Sequence, residues 1–439
     1  MRCNTSLLRV ARKAPPRRQT CYHHLIKSMS TSSTLNKNSK MQMVSITKRR
    51  FEELLLAEAT QLAGIRQTSV SIDMMIKFGM DPDSDTIVNS AKFLYRELPV
   101  RYAVRAKEFE LAPSWIKTKS FKLISETYLQ CFMDLRSIDE PDSTDDAIQL
   151  RRILTQHKDR LAKVIPLLSE GVHELKNKRG MSTREEQYLH DLLDRFLTAR
   201  IGTSVLTSQH LELHQDLIEG KREGYVGALQ VNCSPKRIFL DAAENVRLMC
   251  EKELGTTPGF IVKGHIDVTL PYIPAHIHYI AVELLKNSFR AQVEHSNQFQ
   301  DDLNFQIPPV EVVIGSSKED EDVVIMVRDR GGGIPSSKMP DVWKYTHSSA
   351  EGVKADDQYG YANHRRDGIL AGMGFGLPLS RLYARFFGGD LEVCSLAGIG
   401  TAAYVRLKRL GGVEQAHMDK FSLNYPKTFT PAYPFPDQR

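Results

Sequence analysis

Four polar residues of one segment, Glu283, Lys286, Asn287 and Arg290, could carry chemistry. Their spacings of three, four and seven residues would place them on one face of a helix. A row of charged side chains is usually a solvated helix face. Here apolar residues surround the row between Ile280 and Phe289. Because polar groups in a mostly buried helix need partners, this segment is a candidate site.

A second candidate follows an apolar run that predicts a β-strand over Val323–Val327. The chain then continues with Asp329, and three glycines begin at Gly331 and end at Gly333. A carboxylate at a strand end can accept a hydrogen bond from an amine. Glycines let a flat ligand approach the backbone closely, because they have no side chain. The alternative interpretation is an ordinary glycine-rich turn.

A third candidate is rich in glycine and precedes a helix predicted over Leu379–Phe387. Its residues are Gly372, Met373, Gly374, Phe375, Gly376 and Leu377. Free N–H groups and the helix dipole at a helix N-terminus both favour phosphate. The spacing is GxGxG after no strand, which excludes a Rossmann fingerprint, and no P-loop sequence is present. A further motif, Gly398–Thr401, predicts a tight turn between two strands.

Residues 46–210 have a sequence pattern that is typical of long helices. Apolar residues recur every three or four positions over 150–175, which predicts one amphipathic helix with a kink at Pro166. Ser182 and Glu185 predict a capping box that opens the next helix. A similar pattern predicts further helices near 52–79, 85–109 and 114–137. Long helices with short breaks predict a helical bundle.

The second half of the chain combines sequence patterns of helices and of β-strands. Residues 211–232 are polar with three glycines and predict a linker. Pro235 and Gly255 predict the start and stop of a helix, and another helix opens after Pro274. The charged turn 318–322 predicts a hairpin. Five β-rich runs predict strands, over Phe260–Val262, Val310–Ile314, Val323–Val327, Leu391–Ser395 and Ala402–Leu407. This half is therefore predicted to be α+β.

The positive net charge lies at the N-terminus. The 439 residues include 59 Lys+Arg and 53 Asp+Glu, a net of +6, which alone would suggest nucleic-acid binding. Residues 1–51 hold twelve basic residues, no acidic ones and many Ser and Thr, which is typical of a mitochondrial transit peptide. The alternative is a disordered basic tail. The rest of the chain carries 47 basic and 53 acidic residues, so the folded body is not basic.

Composition excludes further classes. No uninterrupted apolar run approaches the ~18 residues that a membrane-spanning helix needs. The six cysteines are scattered and none forms a CxxC pair, which argues against a disulfide scaffold and a zinc ribbon. The length allows two or three domains.

The order of the motifs is more specific than any one motif. A helix with Glu and Asn, then DxGGG, GxGFGLP and GxGT, resembles the ATP-binding domain of the Bergerat-fold (GHKL) superfamily. The resemblance implies an α+β protein in which a four-helix-type bundle precedes a Bergerat α/β-sandwich domain. It implies that Asn287 holds Mg²⁺ and that Asp329 accepts the adenine amine beside Gly331 and Gly333. It also implies that Gly372–Leu377 wraps the phosphates of ATP beneath a lid.

Within that superfamily, about residues 50–410 resemble the mitochondrial 2-oxo-acid dehydrogenase kinases. The resemblance rests on residues 96–101, 195–202, 209–211, 283–290 and 342–350. It implies that Glu283 is the general base toward a substrate serine and that Lys286 and Arg290 offset phosphate charge. Ser348, Ser349 and Thr401 match nucleotide-contacting positions. Some members bind K⁺ at residues 342–347, where this chain has the unusual residues Lys344 and His347.

The resemblance predicts a protein-serine kinase of the mitochondrial matrix. It would use Mg-ATP to phosphorylate and inactivate the E1-alpha subunit of a 2-oxo-acid dehydrogenase, with pyruvate dehydrogenase favoured and the branched-chain complex as the alternative. The helical half would dock the lipoyl domain of the E2 acyltransferase, and the chain would form a homodimer without nucleic acid. The expected segments are a transit peptide over 1–45, a helical domain over 46–225, an ATP-binding kinase domain over 226–412 and a tail over 413–439.

Two other classes of function remain open. A histidine autokinase needs a phosphoacceptor helix, and His190-Asp191 begins like one but lacks the cation and proline that should follow. An inactive ATP-binding scaffold is the second alternative. The intact residues Glu283, Asn287 and Asp329 argue against it.

Overall fold

The computed structural model describes residues 48–178, 180–299, 306–316, 322–347 and 374–409. The predicted transit peptide and the predicted tail lie outside these residues. The first half of the described chain is helical. Its helices are α1 (Lys48–Leu62), α2 (Ile72–Gly79), α3 (Ser84–Glu110), α4 (Lys119–Arg136), α5 (Thr144–Leu161), α6 (Val164–Lys178) and α7 (Thr183–Glu219), with a 3-10 turn at Ser114–Ile116.

Aromatic side chains join four of these helices into one bundle core. Phe109 of α3 stacks on Phe121 of α4, with ring centroids 4.8 Å apart, and lies 5.0 Å from the ring of Phe196 in α7. Tyr102 of α3 meets His157 of α5 edge to face at 5.5 Å. Such rings bury large apolar areas, which stabilises the helices more than helix propensity does. The predicted bundle is confirmed.

Helix α7 begins where the sequence predicts. The Ser182 hydroxyl accepts a hydrogen bond from the Glu185 N–H, and the Glu185 carboxylate accepts one from the Ser182 N–H at 3.0 Å. These two bonds form the predicted capping box and satisfy N–H groups that the first turn leaves free. The helix ends at Gly220, whose φ of +99° suits glycine.

Two predictions about the helical half are wrong. Residues 150–175 are not one kinked helix, because α5 ends at Leu161 and α6 begins at Val164, with Pro166 in the first turn of α6. Residues 211–232 are not a linker. Helix α7 continues to Glu219, and two short strands follow it. The polar composition suggested a linker, but polar residues can also be buried with a partner. Asp216 is buried, and its Oδ1 lies 2.7 Å from Arg222 Nε.

The second half alternates strands and helices. In chain order its elements are β1 (Tyr225–Val226), β2 (Leu229–Cys233), α8 (Pro235–Leu254), β3 (Phe260–Gly264), β4 (Leu270–Tyr272), α9 (Pro274–Ser296), β5 (Val310–Ser316), β6 (Asp322–Arg328), α10 (Gly376–Phe386), β7 (Asp390–Leu396) and β8 (Gly400–Lys408). Short 3-10 turns lie at Asn297–Phe299 and Ser336–Trp343. All five predicted strands and the predicted starts at Pro235 and Pro274 are confirmed.

Five strands form the main sheet, in the order β3-β5-β6-β8-β7. Strand β3 is parallel to β5, and the other pairs are antiparallel. The predicted hairpin is therefore the pair β5 and β6. Residues such as Val312, Ile325 and Val405 are buried where α9 and α10 pack, whereas Val324 and Tyr404 on the same strands are exposed. This is the expected two-layer α/β sandwich, and β1, β2 and β4 form a smaller sheet.

Among the described residues, no helix is both long enough and apolar enough to cross a membrane.

Two buried histidines make the folded protein sensitive to acid. Burial lowers the pKa of His276 and that of His210 to about 3, because desolvation disfavours the charged imidazolium. In the unfolded chain both would titrate near 6.5. The unfolded state then binds more protons below that pH, so stability falls as the pH is lowered through 6.5. We expect a change from pH 7.5 to 5.5 to cost about 1.4 kcal/mol per histidine.

Urea unfolding at the two pH values measures this loss. Because His276→Gln removes one of the buried titrating groups, the variant should lose about 1.4 kcal/mol less than wild type between the two pH values. Exposed His173, replaced by Gln, is the matched control and should leave the pH dependence unchanged. An unaltered pH dependence in His276→Gln would contradict the expectation.

Candidate active site

Helix α9 carries the four polar residues of the first motif. It begins at Pro274, where proline suits the first helical turn. Glu283 and Lys286 are buried, with 4% and 6% of their surface exposed. Asn287 is exposed and Arg290 is half-buried. The helix therefore presents one buried charged pair and, one turn further on, an amide that solvent can reach.

The carboxylate of Glu283 is held from two sides. Lys286 Nζ lies 3.3 Å from Glu283 Oε1, an ion pair away from water. On the other side, the first residue of α10 is Gly376, and a Cβ atom there would overlap Glu283 Oε2. The carboxylate thus lies against a helix N-terminus, whose dipole favours negative charge. Only glycine leaves room for this approach.

Replacing Gly376 by Ala should lower phosphate transfer by about 10- to 100-fold. The added Cβ would displace the Glu283 carboxylate, and displacements near 1 Å in an active site have effects of that size. Steady-state kinetics with ATP measure the change. Gly315→Ala is the matched control, because the nearest atom to its Cβ would be 3.7 Å away. Wild-type transfer by Gly376→Ala would show that the close approach is unimportant.

Arg290 is engaged elsewhere on the same helix. Its Nε donates to Glu294 Oε1 at 2.6 Å, one turn further from Glu283. The structure therefore brings Glu283 and Lys286 together but gives Arg290 a different carboxylate partner. A role for Arg290 toward phosphate stays a prediction.

Asp329 lies directly after β6 and is buried, with 6% of its surface exposed. Its Oδ1 accepts hydrogen bonds from the Gly331 N–H at 2.9 Å and the Thr401 N–H at 3.2 Å. Burial raises the pKa of this carboxyl group, while these two bonds and one from the Ser288 hydroxyl oppose the rise. Asp329 is thus a fixed hydrogen-bond acceptor in a largely water-free place.

The glycines after Asp329 are required by close approaches. A Cβ atom on Gly331 would lie 2.6 Å from the backbone of Ala291 in α9. Gly333 has a φ of +67°, and a Cβ atom there would overlap the Leu396 carbonyl. Both glycines let the turn pass between helix α9 and strand β7, which brings Asp329 beside α9.

Sequence reasoning missed three residues that hold this turn. Gln292 is buried, and its Oε1 accepts a hydrogen bond from the Arg330 N–H at 2.7 Å. The Ser395 hydroxyl accepts one from the Ile334 N–H at 2.7 Å. Ser288, the third, bonds to Asp329. Ser288 and Gln292 are polar residues four apart in a mostly apolar helix, the same signal that marked Glu283.

Thr401 joins the turn to strand β8. Its carbonyl accepts a hydrogen bond from the Asp329 N–H at 2.9 Å, and its hydroxyl lies 2.9 Å from that of Ser395. Thr401 therefore helps to fix Asp329, and its contact with a nucleotide stays a prediction.

The glycine-rich motif is described only in its second part. Gly374 has a φ of +82°, buried Phe375 follows it, and Gly376 and Leu377 open α10. The rest of the candidate phosphate-binding set lies outside the described residues: Ser348, Ser349, Gly372, Met373 and the predicted lid 350–372.

These parts suit a nucleotide and a transferred phosphate. The buried Asp329 carboxylate, which N–H groups hold in place, can accept a hydrogen bond from an amine. The N-terminus of α10 favours an anion. A second carboxylate beside an ammonium can orient a hydroxyl and take its proton. Glu283 belongs to α9 and Asp329 bonds to Ser288 of the same helix, so one rigid helix positions both carboxylates.

The fold and these motifs define a GHKL-type ATPase domain. Residues 273–410 match the family model described as histidine kinase-, DNA gyrase B- and HSP90-like ATPase. Residues 69–230 match the model described as mitochondrial branched-chain alpha-ketoacid dehydrogenase kinase. The second match covers most of the helical bundle, which separates this chain from other ATPases of the class.

Curated relatives extend the match over most of the chain. It is 36% identical over 367 residues to a mitochondrial pyruvate dehydrogenase (acetyl-transferring) kinase of Arabidopsis thaliana, covering 83% of this chain and 97% of the relative. It is 32% identical to isozyme 4 of that kinase from Homo sapiens, covering 81% and 85%. The Drosophila melanogaster kinase is 32% identical, covering 85% and 90%. The chain therefore belongs to the family of mitochondrial 2-oxo-acid dehydrogenase kinases, ATP-using protein kinases.

Proposed function

We propose that this chain phosphorylates a serine of the E1-alpha subunit of pyruvate dehydrogenase with Mg-ATP and thereby inactivates that complex. The curated relatives reported above are named for pyruvate dehydrogenase, which favours this substrate. The branched-chain complex remains the alternative, because the model that matches residues 69–230 carries its name. One observation carries the proposal: the buried Glu283 carboxylate lies beside Lys286 and against the start of α10.

In the proposed reaction, Glu283 accepts the proton of the substrate hydroxyl as its oxygen bonds to the γ-phosphorus of ATP. The bond from that phosphorus to the bridging oxygen breaks, and ADP leaves. Lys286 offsets the charge on the transferred group. Because phosphoryl transfer depends mainly on positioning and charge, the rigid placement of these two residues on α9 supports this role.

We include Mg²⁺ in the proposed function, with Asn287 as its ligand from the protein. The amide is exposed one turn after Glu283 and offers an oxygen, which Mg²⁺ prefers. Among the residues that the structure describes, no group of three or more His, Cys, Asp or Glu could hold a metal ion alone. Mg²⁺ commonly binds through few protein oxygens together with phosphates and water. Bound there, the ion would neutralise phosphate charge.

K⁺ is not part of the proposal. In the stretch where some family members bind it, Lys344 Nζ lies 3.0 Å from Glu186 Oε2 and 2.8 Å from Asp341 Oδ1. This ammonium already supplies a positive charge between two carboxylates.

Two surfaces support the proposed partners. In the helical half, Met74, Phe78 and Met80 expose apolar side chains, which suits docking of the lipoyl domain of the E2 acyltransferase. In the sheet, Val324 and Tyr404 expose apolar surface on the side away from α9, which suits a homodimer. Both partners are proposals that binding assays with purified lipoyl domain and light scattering would test.

A matrix location and four segments complete the proposal. The segments are a transit peptide over 1–45, a helical domain over 46–225, a kinase domain over 226–412 and a tail over 413–439. The acid-free basic composition of residues 1–51 supports import into the mitochondrion. Sequencing the N-terminus of the protein from isolated mitochondria tests this, and an intact Met1 would contradict it.

The decisive experiment compares two substrates side by side. Purified protein and labelled ATP are incubated with pyruvate dehydrogenase E1 and with branched-chain E1, and acid-stable phosphate on E1-alpha is measured. We expect transfer to the pyruvate enzyme. Transfer only to the branched-chain enzyme would select the alternative substrate, and ATP binding without transfer to either enzyme would select the inactive ATP-binding scaffold.

The structure argues against a histidine autokinase. The ring of His190 stacks on Tyr345 with centroids 5.3 Å apart, and its Nε2 is buried. A phosphoacceptor nitrogen has to reach the γ-phosphate of ATP. Acid-labile phosphate on the kinase itself would nevertheless revive that alternative.

A further inference from the structure

One face of α7 contacts the chain just before the end of the described segment 322–347. The face is formed by Glu186, His190 and Asp194, which recur every fourth residue and therefore lie in a row. We call this row the latch face. It belongs to the helical half, whereas the residues that it contacts follow the turn Ser336–Trp343 in the ATP-binding half.

Glu186 binds two residues at once. Its Oε2 pairs with Lys344 Nζ at 3.0 Å, and its Oε1 accepts a hydrogen bond from the Thr346 hydroxyl at 2.6 Å. These contacts lower the pKa of the Glu186 carboxyl group against the effect of its partial burial. The carboxylate is thus charged and bound through both oxygens.

Tyr345 lies between the other two members of the latch face. Its hydroxyl donates to Asp194 Oδ1 at 2.5 Å, and its ring stacks on His190 with an interplanar angle of 27°. Tyr345 is buried, with 3% of its surface exposed. A phenol that donates to a carboxylate in such a place forms a directional link, which shape complementarity alone would not provide.

From Tyr345 the contacts continue to the candidate base. The ring of Phe375 lies 4.9 Å from that of Tyr345. A Cβ atom on Gly374 would meet the Tyr345 carbonyl oxygen at 3.3 Å, so the two backbones are close. The next glycine, Gly376, borders the Glu283 carboxylate. A continuous series of contacts therefore runs from α7 to Gly376, which borders the Glu283 carboxylate.

We propose that the latch face positions the Gly374–Gly376 segment through Tyr345, so that the helical half sets the affinity for ATP. Glu186, Asp194 and Tyr345 are positioning residues, since none of them borders Glu283. The inference rests on the proposed site, because it takes the glycines at the start of α10 to bind phosphate.

The latch face is not what holds the two halves together. A separate contact joins Arg200 of α7 to Tyr383 of α10, where the Arg200 side chain bonds to the tyrosine hydroxyl. Helix α10 therefore stays docked on α7 when Tyr345 loses its partner. This permits a test in which folding is retained and positioning is lost.

The test is a double-mutant cycle on the full chain with Tyr345→Phe, Asp194→Asn and the double variant. Equilibrium binding of ATP gives Kd, steady-state kinetics give kcat, and thermal unfolding checks the fold. We expect each single substitution to weaken ATP binding about 3- to 30-fold, with kcat at saturating ATP within about twofold of wild type. The double variant should be no weaker than the weaker single variant, since both remove one link.

Asp191→Asn is the matched control. Asp191 lies on the same helix and is exposed, and its Oδ1 accepts a hydrogen bond from Gln187 Nε2 at 2.9 Å. The same change of charge there should leave ATP affinity unchanged. If Asp194→Asn fails to fold, Tyr345→Phe and Glu186→Gln replace the cycle, because each should reproduce the loss of affinity in a folded protein.

Three outcomes would overturn the proposal. They are unchanged ATP affinity in folded Tyr345→Phe, additive effects of the two substitutions, and an equal loss in Asp191→Asn. None of these touches the proposed function. Failure of the wild-type protein to bind ATP would overturn both, whereas ATP binding without transfer to E1 would overturn the proposed function alone.

Discussion

Glu283→Gln should reduce phosphate transfer to pyruvate dehydrogenase by about 10²- to 10⁴-fold, the usual contribution of a general base. Glutamine has nearly the same shape but cannot take the proton of the substrate hydroxyl. Its amide oxygen can still accept a hydrogen bond from Lys286, which lies 3.3 Å from the carboxylate. ATP affinity should therefore stay within about threefold of wild type, so the loss should appear in kcat.

The control for this substitution lies on the same helix. Glu294 is a partly exposed carboxylate that binds Arg290 at 2.6 Å. Glu294→Gln makes the same chemical change without touching Glu283, so transfer should stay within about twofold of wild type. Thermal unfolding of both variants must accompany the kinetics, because Glu283→Gln weakens a buried ion pair. Normal transfer by a folded Glu283→Gln variant would remove Glu283 from the role of base.

Asp329→Asn should weaken ATP binding by about 10- to 150-fold, the range expected for one hydrogen bond to a charged group. The carboxylate is buried, and N–H groups of Gly331 and Thr401 hold it in place. With asparagine, the amide oxygen would keep those two bonds and the NH₂ group would face the adenine amine. Two donors would then meet without an acceptor, which polar sites reject strongly.

Inosine triphosphate provides a more specific test of adenine recognition by Asp329. It carries a carbonyl oxygen where ATP carries the amine, so wild-type protein should prefer ATP and Asp329→Asn should shift that preference toward the inosine nucleotide. Competition binding with both nucleotides measures the ratio. Asp322→Asn, at the opposite end of the same strand, is the control and should leave the ratio unchanged. An unshifted ratio in Asp329→Asn would exclude Asp329 from adenine recognition.

Local signals predicted most of the elements. The capping box at Ser182, the stop at Gly255 and the apolar runs of β5 and β6 each depend on residues within a few positions of one another. Such patterns can be read without knowing the fold. They therefore placed both candidate carboxylates correctly, one within a helix and one after a strand.

Predictions failed where burial depended on distant partners. The stretch after residue 210 looked like a linker because it is polar, yet His214 and Asp216 are buried in α7. Likewise, the apolar spacing over residues 150–175 looked like that of one helix. Two helices produce it, because both turn their apolar faces to the same bundle core. Neither fact can be derived from nearest neighbours.

The sequence by itself determined the class of elements, the order of the four motifs and the residue types that could perform phosphate transfer. The elements and motifs follow from spacing and side-chain chemistry, whereas the assignment to phosphate transfer follows from the resemblance to the kinase family. Only the tertiary structure decided that Glu283, which pairs with its helix neighbour Lys286, borders Gly376 of α10. It also decided that Ser288 and Thr401 hold Asp329. The physical reason is that these partners, apart from those on α9 itself, meet only when the helices pack on the sheet, where burial makes each hydrogen bond and close approach selective.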